Sequence, residues 1–181
     1  MFLRPLGYSI FLCMVTLCGT LSAAVAQTSP LSVQSSNLTV LISKIIVNQN
    51  NVSIQFVAKN DTKGRVYLRD ALLDQSQYAF LGSGAQLNYP QSVVGINYCE
   101  GSVNQCNNSE DAANLNDYSY IDPGEDTGFM IVYRAPNPIS TGDTISFCLV
   151  LVAKFASPTG DPTQPGGPQG VRFNFPFTPL N

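Results

Sequence analysis

Cys99 and Cys106 are the two residues whose type and spacing most directly predict a chemical event in this sequence of 181 residues. They lie seven positions apart in a polar stretch, and in an oxidising compartment we expect them to form a local disulfide. This bond would close an eight-residue loop and, by loop entropy, stabilise the fold by about 2.5 kcal/mol. A redox-active pair more typically has the spacing Cys-x-x-Cys. We expect Cys148 to be a small buried residue, and a bridge from Cys148 to either partner stays open.

The sequence contains no histidine, which removes most ways of being an enzyme. It excludes a Ser-His-Asp triad, a Cys-His dyad and a histidine-bound zinc or haem site. The acids Asp70, Asp74, Asp117 and Asp122 are available, but their spacing forms no recognisable catalytic set. A catalytic carboxylate pair is defined by a distance, so a carboxylate-dependent hydrolase stays open as an alternative. The sequence predicts a protein that is not an enzyme and uses no cofactor.

Seven of the twelve acidic residues lie between Cys99 and Gly128, with no Lys or Arg among them. These acids are Glu100, Glu110, Asp111, Asp117, Asp122, Glu125 and Asp126. Oxygen ligands from loops suit Ca²⁺, yet the spacing matches no calcium-binding loop. We therefore predict no metal site and interpret the stretch as a solvated acidic loop. A bound Ca²⁺ and a partner-binding surface are the alternatives.

Four basic residues fall within eleven positions and form what we call the basic rim: Lys59, Lys63, Arg65 and Arg69. We interpret them as ordinary surface charge at the rim of a hairpin. The alternative is that the rim meets the acidic loop, either in the same chain or in a neighbour. Four charges in a chain of net charge −3, with charged residues at only 12%, argue against binding to nucleic acid.

The elements that must position these residues are strands. Leu38 to Val47 is rich in β-branched residues, and Val52, Ile54 and Phe56 alternate with more polar neighbours. Asp143 to Phe155 is apolar on both faces at its centre, which predicts a central strand covered on both sides. No segment after Ala26 keeps a helical apolar period for three turns. The pattern predicts an all-β fold, an immunoglobulin-like antiparallel β-sandwich of seven to nine strands, in preference to a barrel.

The N-terminus predicts export. Arg4 precedes an apolar run from Leu6 to Leu17, and Ala24-Val25-Ala26 is an A-x-A cleavage site. We therefore expect residues 1–26 to be a removed signal peptide, although an uncleaved anchor is the alternative. We divide the rest into a flexible N-terminal segment, 27–37, and a single β-sandwich domain, 38–181. Removal of Arg4 leaves eight basic and twelve acidic residues, a net charge of −4.

Three segments resemble parts of a known group of domains. They are Val52 to Asn60, the turn Asp122-Pro-Gly-Glu-Asp126 followed by Phe129 to Tyr133, and the terminal Arg172 to Pro176. Together they resemble exported bacterial immunoglobulin-like domains of unknown function. The resemblance implies a periplasmic or extracellular β-sandwich, and it implies no catalytic residue and no ligand.

We therefore expect an exported interaction or accessory domain that acts through its loops. The contact regions would be the loop closed by Cys99 and Cys106, the acidic loop to Asp126, and the Pro/Gly-rich segment Ser157 to Gly170. The partner would be another envelope or extracellular protein, with no nucleic acid and no membrane span after signal removal. The alternative is a pilin-like structural subunit to which Gln27 to Asn37 contributes an exchanged strand. The sequence does not indicate whether the chain is a monomer or an oligomer.

Overall fold

The structure is a computed structural model that describes residues 31–88, 90–108, 114–140, 142–156 and 169–180. The predicted signal peptide, the acids Glu110 and Asp111, and positions 157–168 of the predicted Pro/Gly-rich loop lie outside these residues. The strands are β1 (Ser32–Ser35), β2 (Leu38–Asn48), β3 (Asn51–Asn60), β4 (Val66–Ala71), β5 (Tyr78–Leu81), β6 (Ser92–Val94), β7 (Tyr98–Cys99), β8 (Ser119–Ile121), β9 (Asp126–Arg134), β10 (Thr144–Phe155) and β11 (Gln169–Pro179). One helix, α1 (Val103–Asn108), and one 3₁₀ turn, Leu115–Asp117, complete the described elements.

The strands form two sheets, so the predicted all-β sandwich is confirmed. The first sheet has the order β1-β2-β3-β9-β6, and every pairing in it is antiparallel. In the second sheet β10 pairs with β11 on one side, and β5 and β4 follow each other along its other side. The far edge of β4 carries β8, antiparallel, and β7, parallel. The described chain has eleven strands rather than seven to nine because β1, β6, β7 and β8 are short pairings at sheet edges.

The core lies between the two sheets and is centred on four phenylalanine rings. Phe56 stacks on Phe129 in the first sheet, with ring centroids 5.1 Å apart. Its edge meets Phe147 of the second sheet at 5.5 Å, and Phe147 stacks on Phe175 at 4.6 Å. The alternation read from β3 and β11 places these rings on inward faces, where they remove a large apolar area from water.

Strand β10 is buried on both faces, as predicted. Residues Phe147 to Lys154 are all buried. The inward face joins the main core, while Val152 on the outward face packs with Tyr67, Cys106 and Tyr118 in a smaller cluster. Part of the outer face of the second sheet is therefore covered by Cys106 of α1 and by Tyr118, and the candidate functional site is built there.

The segment that we expected to be flexible, 27–37, contains strand β1. Ser32 to Ser35 pair with Leu38 to Leu41 of β2. Ser36 and Asn37 make the tight turn between the two strands, with φ of 51° and 61°. This turn brings residues 32–35 beside β2, where they pair as a strand although their own sequence does not strongly predict one.

Helix α1 spans six residues and lies against β10 and β11. No helix in the described part of the chain is long enough and apolar enough to cross a membrane.

Candidate functional site

The predicted disulfide is present. Cys99 in β7 and Cys106 in α1 are bonded, with Cα atoms 5.9 Å apart. Cys106 is fully buried in the small cluster on the outer face of the second sheet, so the bond fixes the closed loop against that face. Cys148 is a free and buried thiol, as expected, and burial raises its pKa.

Asp74 holds the start of α1 in place. The backbone N–H of Val103 donates to Oδ2 of Asp74 at 2.8 Å. The backbone N–H of Ser76 donates to Oδ1 at 2.9 Å, and the Ser76 hydroxyl donates to the same oxygen. Burial opposes ionisation of Asp74, but these hydrogen bonds outweigh it and hold its pKa below the ordinary value. The ionised carboxylate therefore caps a helix that lies 29 residues further along the chain.

Arg69 and Lys154 are buried beside one aromatic ring. The guanidinium carbon of Arg69 and Nζ of Lys154 each lie 4.6 Å from the centroid of Tyr118. Only 3% of Arg69 and 5% of Lys154 are exposed. Arg69 also donates to the Cys106 carbonyl, which joins the sheet to the disulfide loop. The pKa of Lys154 lies below its ordinary value, because burial and the charge of Arg69 lower it more than the nearby Asp117 raises it.

The placement of Arg69 corrects the prediction that it belongs to an exposed basic rim. Side chains alternate along β4, and Arg69 falls on the outer face of the second sheet together with Tyr67 and Ala71. The disulfide loop and the residues around Tyr118 then cover that face. A cation–π contact and a carbonyl acceptor compensate for part of the water that the guanidinium loses.

An open cavity of about 560 Å³ lies over Arg69. Its lining includes Arg69, Asn97, Tyr98, Glu100 and Asp117. Nε of Arg69 and Oδ2 of Asp117 are buried and have no hydrogen-bond partner within the described structure. One is a donor and the other an acceptor, and both belong to residues that line the cavity. Tyr98 stands at the rim with 49% of its surface exposed.

Two of the remaining members of the basic rim, Lys59 and Arg65, meet acids of the same chain. Nε and Nη2 of Arg65 donate to Oδ1 and Oδ2 of Asp122 at 2.7 and 3.1 Å. Nζ of Lys59 lies 3.3 Å from Asp61, and Lys59 stands opposite Asp126 in the β3–β9 register. Lys63 is exposed. The contact between rim and acidic loop is therefore made within the chain, one of the two arrangements left open by the sequence.

The five described acidic residues of this stretch do not form one cluster. Asp122 pairs with Arg65, Asp117 lines the cavity over Arg69, and Glu100 is at the rim of that cavity. Glu125 and Asp126 are exposed at the start of β9. Across the described ranges, no group of three or more Cys, Asp and Glu side chains is placed to hold a metal ion.

Asn60 joins the turn after β3 to the acidic loop beside Ile121. It is fully buried, and its Nδ2 donates to the carbonyls of Gly64 at 2.8 Å and Ile121 at 2.9 Å. Its Oδ1 accepts from the backbone N–H and the hydroxyl of Thr62. All of its side-chain hydrogen-bonding capacity is thus directed at holding two loops together.

A second polar group is buried at the end of the main core. Asp70 has no exposed surface, and burial raises its pKa to about 7, although a hydrogen bond from Gln77 lowers it in part. Nε2 of Gln77 lies 3.5 Å from Oδ1 of Asp70, and Oε1 of Gln77 accepts from the backbone N–H of Val150 at 3.1 Å. Oδ2 of Asp70 has no partner within the described structure. The charge of Asp70 adds to the effect of burial in raising the pKa of Tyr133.

Sequence reasoning did not select Tyr118, Lys154 or Gln77. A signal for Lys154 was available, because it is the one cation on the outward face of an apolar strand and such a residue needs a partner when that face is covered. Tyr118 and Gln77 lie in segments without periodicity, where a polar or aromatic residue is indistinguishable from an ordinary loop residue.

No protein-family model matches the sequence, and no curated protein is significantly similar to it.

Proposed function

We propose that the chain is an exported, non-catalytic interaction protein of immunoglobulin-like type, which binds another envelope or extracellular protein through the face that carries residues 97–108 and 114–121. The N-terminal leader pattern and the Cys99–Cys106 bond support export to a periplasmic or extracellular compartment. The partner would contact the cavity over Arg69 and the exposed Tyr98 at its rim.

The observation that carries the proposal is that Nε of Arg69 and Oδ2 of Asp117 are buried without a hydrogen-bond partner in the described structure. Buried polar atoms without partners are uncommon in folded proteins, and a functional role is one of the explanations for them. Both atoms belong to residues that line an open cavity, and the exposed Tyr98 stands at its rim. Tyr and Arg are the residue types that most often dominate binding energy at protein interfaces. A polar side chain of a partner would complete the site.

The placement of three of the four candidate catalytic acids supports a role other than catalysis, while the fourth, Asp117, lines the cavity over Arg69. Asp70 is enclosed at the end of the core, and Asp74 is committed to Ser76 and Val103. Asp122 is engaged by Arg65. A hydrolytic pair must reach a substrate and a water molecule together, which an enclosed acid and two hydrogen-bonded acids are poorly placed to do.

The pairing of β1 argues against assembly by strand exchange through the N-terminal segment. Residues 32–35 of that segment already form a hairpin with β2 of the same chain. An exchanged strand would first have to break these backbone hydrogen bonds.

The experiment is site-specific photocross-linking in the source cells. A photoreactive phenylalanine analogue replaces Tyr98 in one variant and Phe177 in a control variant, since both aromatic side chains are about half exposed. We expect a discrete cross-linked envelope or extracellular protein from position 98 and none from position 177. With that partner purified, Tyr98→Ala should weaken binding at least tenfold, roughly 1.4 kcal/mol, and Phe177→Ala should leave it unchanged.

Two results would overturn the proposal. One is the absence of any cross-linked protein at position 98. The other is a partner whose affinity is the same for Tyr98→Ala and for Phe177→Ala.

A further inference from the structure

One end of the sandwich is lined by carboxamide side chains. Two adjoining cavities, of about 490 and 630 Å³, open there and share Gln91 in their walls. The first also has Gln86 and Asn88 in its lining, and the second has Asn48, Asn50 and Asn51. Both volumes fall within the range of roughly 300–1,000 Å³ that is usual for small-ligand sites. This end is separate from the face to which we assign the protein partner.

This surface carries little charge, which favours a neutral ligand over a multiply charged one. Arg134 is the one charged residue among the described residues that line the two cavities. A carboxamide offers two N–H donors and one carbonyl acceptor, so it can donate to one hydroxyl and accept from its neighbour. The matching ligand is neutral and carries closely spaced groups that both donate and accept. Vicinal hydroxyl groups have this property.

An aromatic surface stands beside the amides. Tyr78 lines the first cavity, with 38% of its surface exposed, and its ring lies 5.4 Å from that of Phe80. An aromatic face removes apolar C–H surface from water. A sugar ring combines such a C–H face with a rim of hydroxyls, and so fits both features of the cavity.

The inner wall of the first cavity is held rigidly. Gln77 and Tyr133 line it, and both are buried. Gln77 is fixed by hydrogen bonds to Val150 and Asp70. In the second cavity the carbonyls of Gln49 and Asn50 accept hydrogen bonds from Ile139 and Ala135, which fixes the β2–β3 turn. A preformed wall lowers the entropy that binding must overcome.

We propose that this end of the sandwich binds a neutral oligosaccharide. One sugar unit occupies the cavity beside Tyr78, and the chain continues past Gln91 toward the β2–β3 turn. A peptide fits less well, because extended peptides are recognised mainly by pairing with the backbone of an edge strand, and the lining here consists of side-chain amides.

The test is a glycan array that carries both neutral and acidic oligosaccharides, probed with the labelled mature chain. A glycan that binds is then measured by calorimetry with the double variant Gln86→Ala/Asn88→Ala. The matched control is Gln34→Ala, which removes an exposed amide from β1. Melting temperatures establish that all variants are folded.

We expect a neutral glycan to bind, the double variant to weaken that binding roughly tenfold or more, and the control to leave it unchanged. Binding of acidic glycans alone, binding of no glycan, or equal affinity in the double variant and the control would each overturn the inference. None of these outcomes bears on the protein partner of Tyr98, so the two proposals fail independently.

Discussion

The side chain of Gln77 takes the place of a strand beside Val150. Strands β5 and β4 follow each other along β10, and Val150 lies at the gap between them. Oε1 of Gln77 accepts the hydrogen bond from the Val150 N–H that a neighbouring strand would otherwise accept. The same amide reaches Asp70 through Nε2, so one side chain links the sheet to the buried acid.

Replacing Gln77 by Leu should therefore destabilise the fold. The change leaves the Val150 N–H and the Asp70 carboxyl without their partner, which should lower the free energy of unfolding by about 2–4 kcal/mol. Urea denaturation of both proteins measures the difference. Gln34→Leu on the exposed edge of β1 is the control, and it should change the free energy by less than about 0.5 kcal/mol. Equal effects of the two substitutions would contradict the bridging role.

Asp70 should make the stability of the fold depend on pH. Its pKa is about 7 in the folded protein against an ordinary value of 3.8, so between these pH values the folded state holds a proton that the unfolded state has lost. The contribution of Asp70 to the free energy of unfolding is largest at low pH. It decreases by at most about 4 kcal/mol as the pH rises from about 4 to 7, and it changes no further above about pH 7. Asp70→Asn mimics the protonated form and should be more stable than the natural protein at pH 8, with the advantage gone at pH 4.

Urea denaturation from pH 4 to 8 checks this prediction through the difference between the two proteins. Other acids, such as Asp74, contribute equally to both proteins and cancel. A difference that stays constant with pH would show that Asp70 is ionised in both states.

Asp74 should make the stability depend on pH in the opposite direction, and it should act on helix α1. Because its folded pKa is lowered, its contribution is present above the ordinary value of 3.8 and is lost as the pH falls through the folded pKa. Asp74→Ala should cost about 1–2 kcal/mol at neutral pH, as the loss of other helix caps does, and should loosen α1. Hydrogen exchange at neutral pH should show faster exchange in residues 103–108. Asp126→Ala, at an exposed acid, is the control and should leave that exchange unchanged.

Removal of the disulfide should lower stability by a similar amount. In Cys99→Ala/Cys106→Ala the loop is no longer closed, and the free energy of unfolding should fall by about 2.5 kcal/mol. A reductant should have the same effect on the natural protein and none on the double variant. An effect of the reductant on the double variant would show that Cys148 bonds to a second molecule, because Cys99 and Cys106 are both absent from that variant.

The sequence predicted those features whose signal is local. The apolar run Phe147 to Val152 is covered on both faces because it has no polar face to turn toward water. The spacing of Cys99 and Cys106 allowed one short loop, and the bond forms there. Strands of two or three residues, such as β7 and β8, carry no periodicity, since the edge of β4 imposes their conformation.

The candidate site is built from contacts between residues that lie far apart in the sequence. The sequence therefore predicted it only in part. Arg69 was predicted to be a surface cation because nothing in its neighbouring sequence indicates that Cys106 and Tyr118 lie against it. Gln77 lies in a stretch that reads as a turn, and only the gap between β5 and β4 gives its amide a buried partner. Of the seven acids that the sequence places in one stretch, the five described ones are divided among an ion pair, a cavity wall and an exposed strand end.

The hydrogen bonding of Asn60 has a consequence for how the protein can be produced. Asn60-Asp61-Thr62 is an acceptor sequence for N-linked glycans. In the folded chain both protons of its Nδ2 are donated to Gly64 and Ile121, and the residue has no exposed surface. A glycosyltransferase can therefore modify Asn60 only before the β3–β4 turn closes. In a eukaryotic secretory pathway such a modification would lock that molecule out of its native fold, so secreted native protein should carry no glycan at this position.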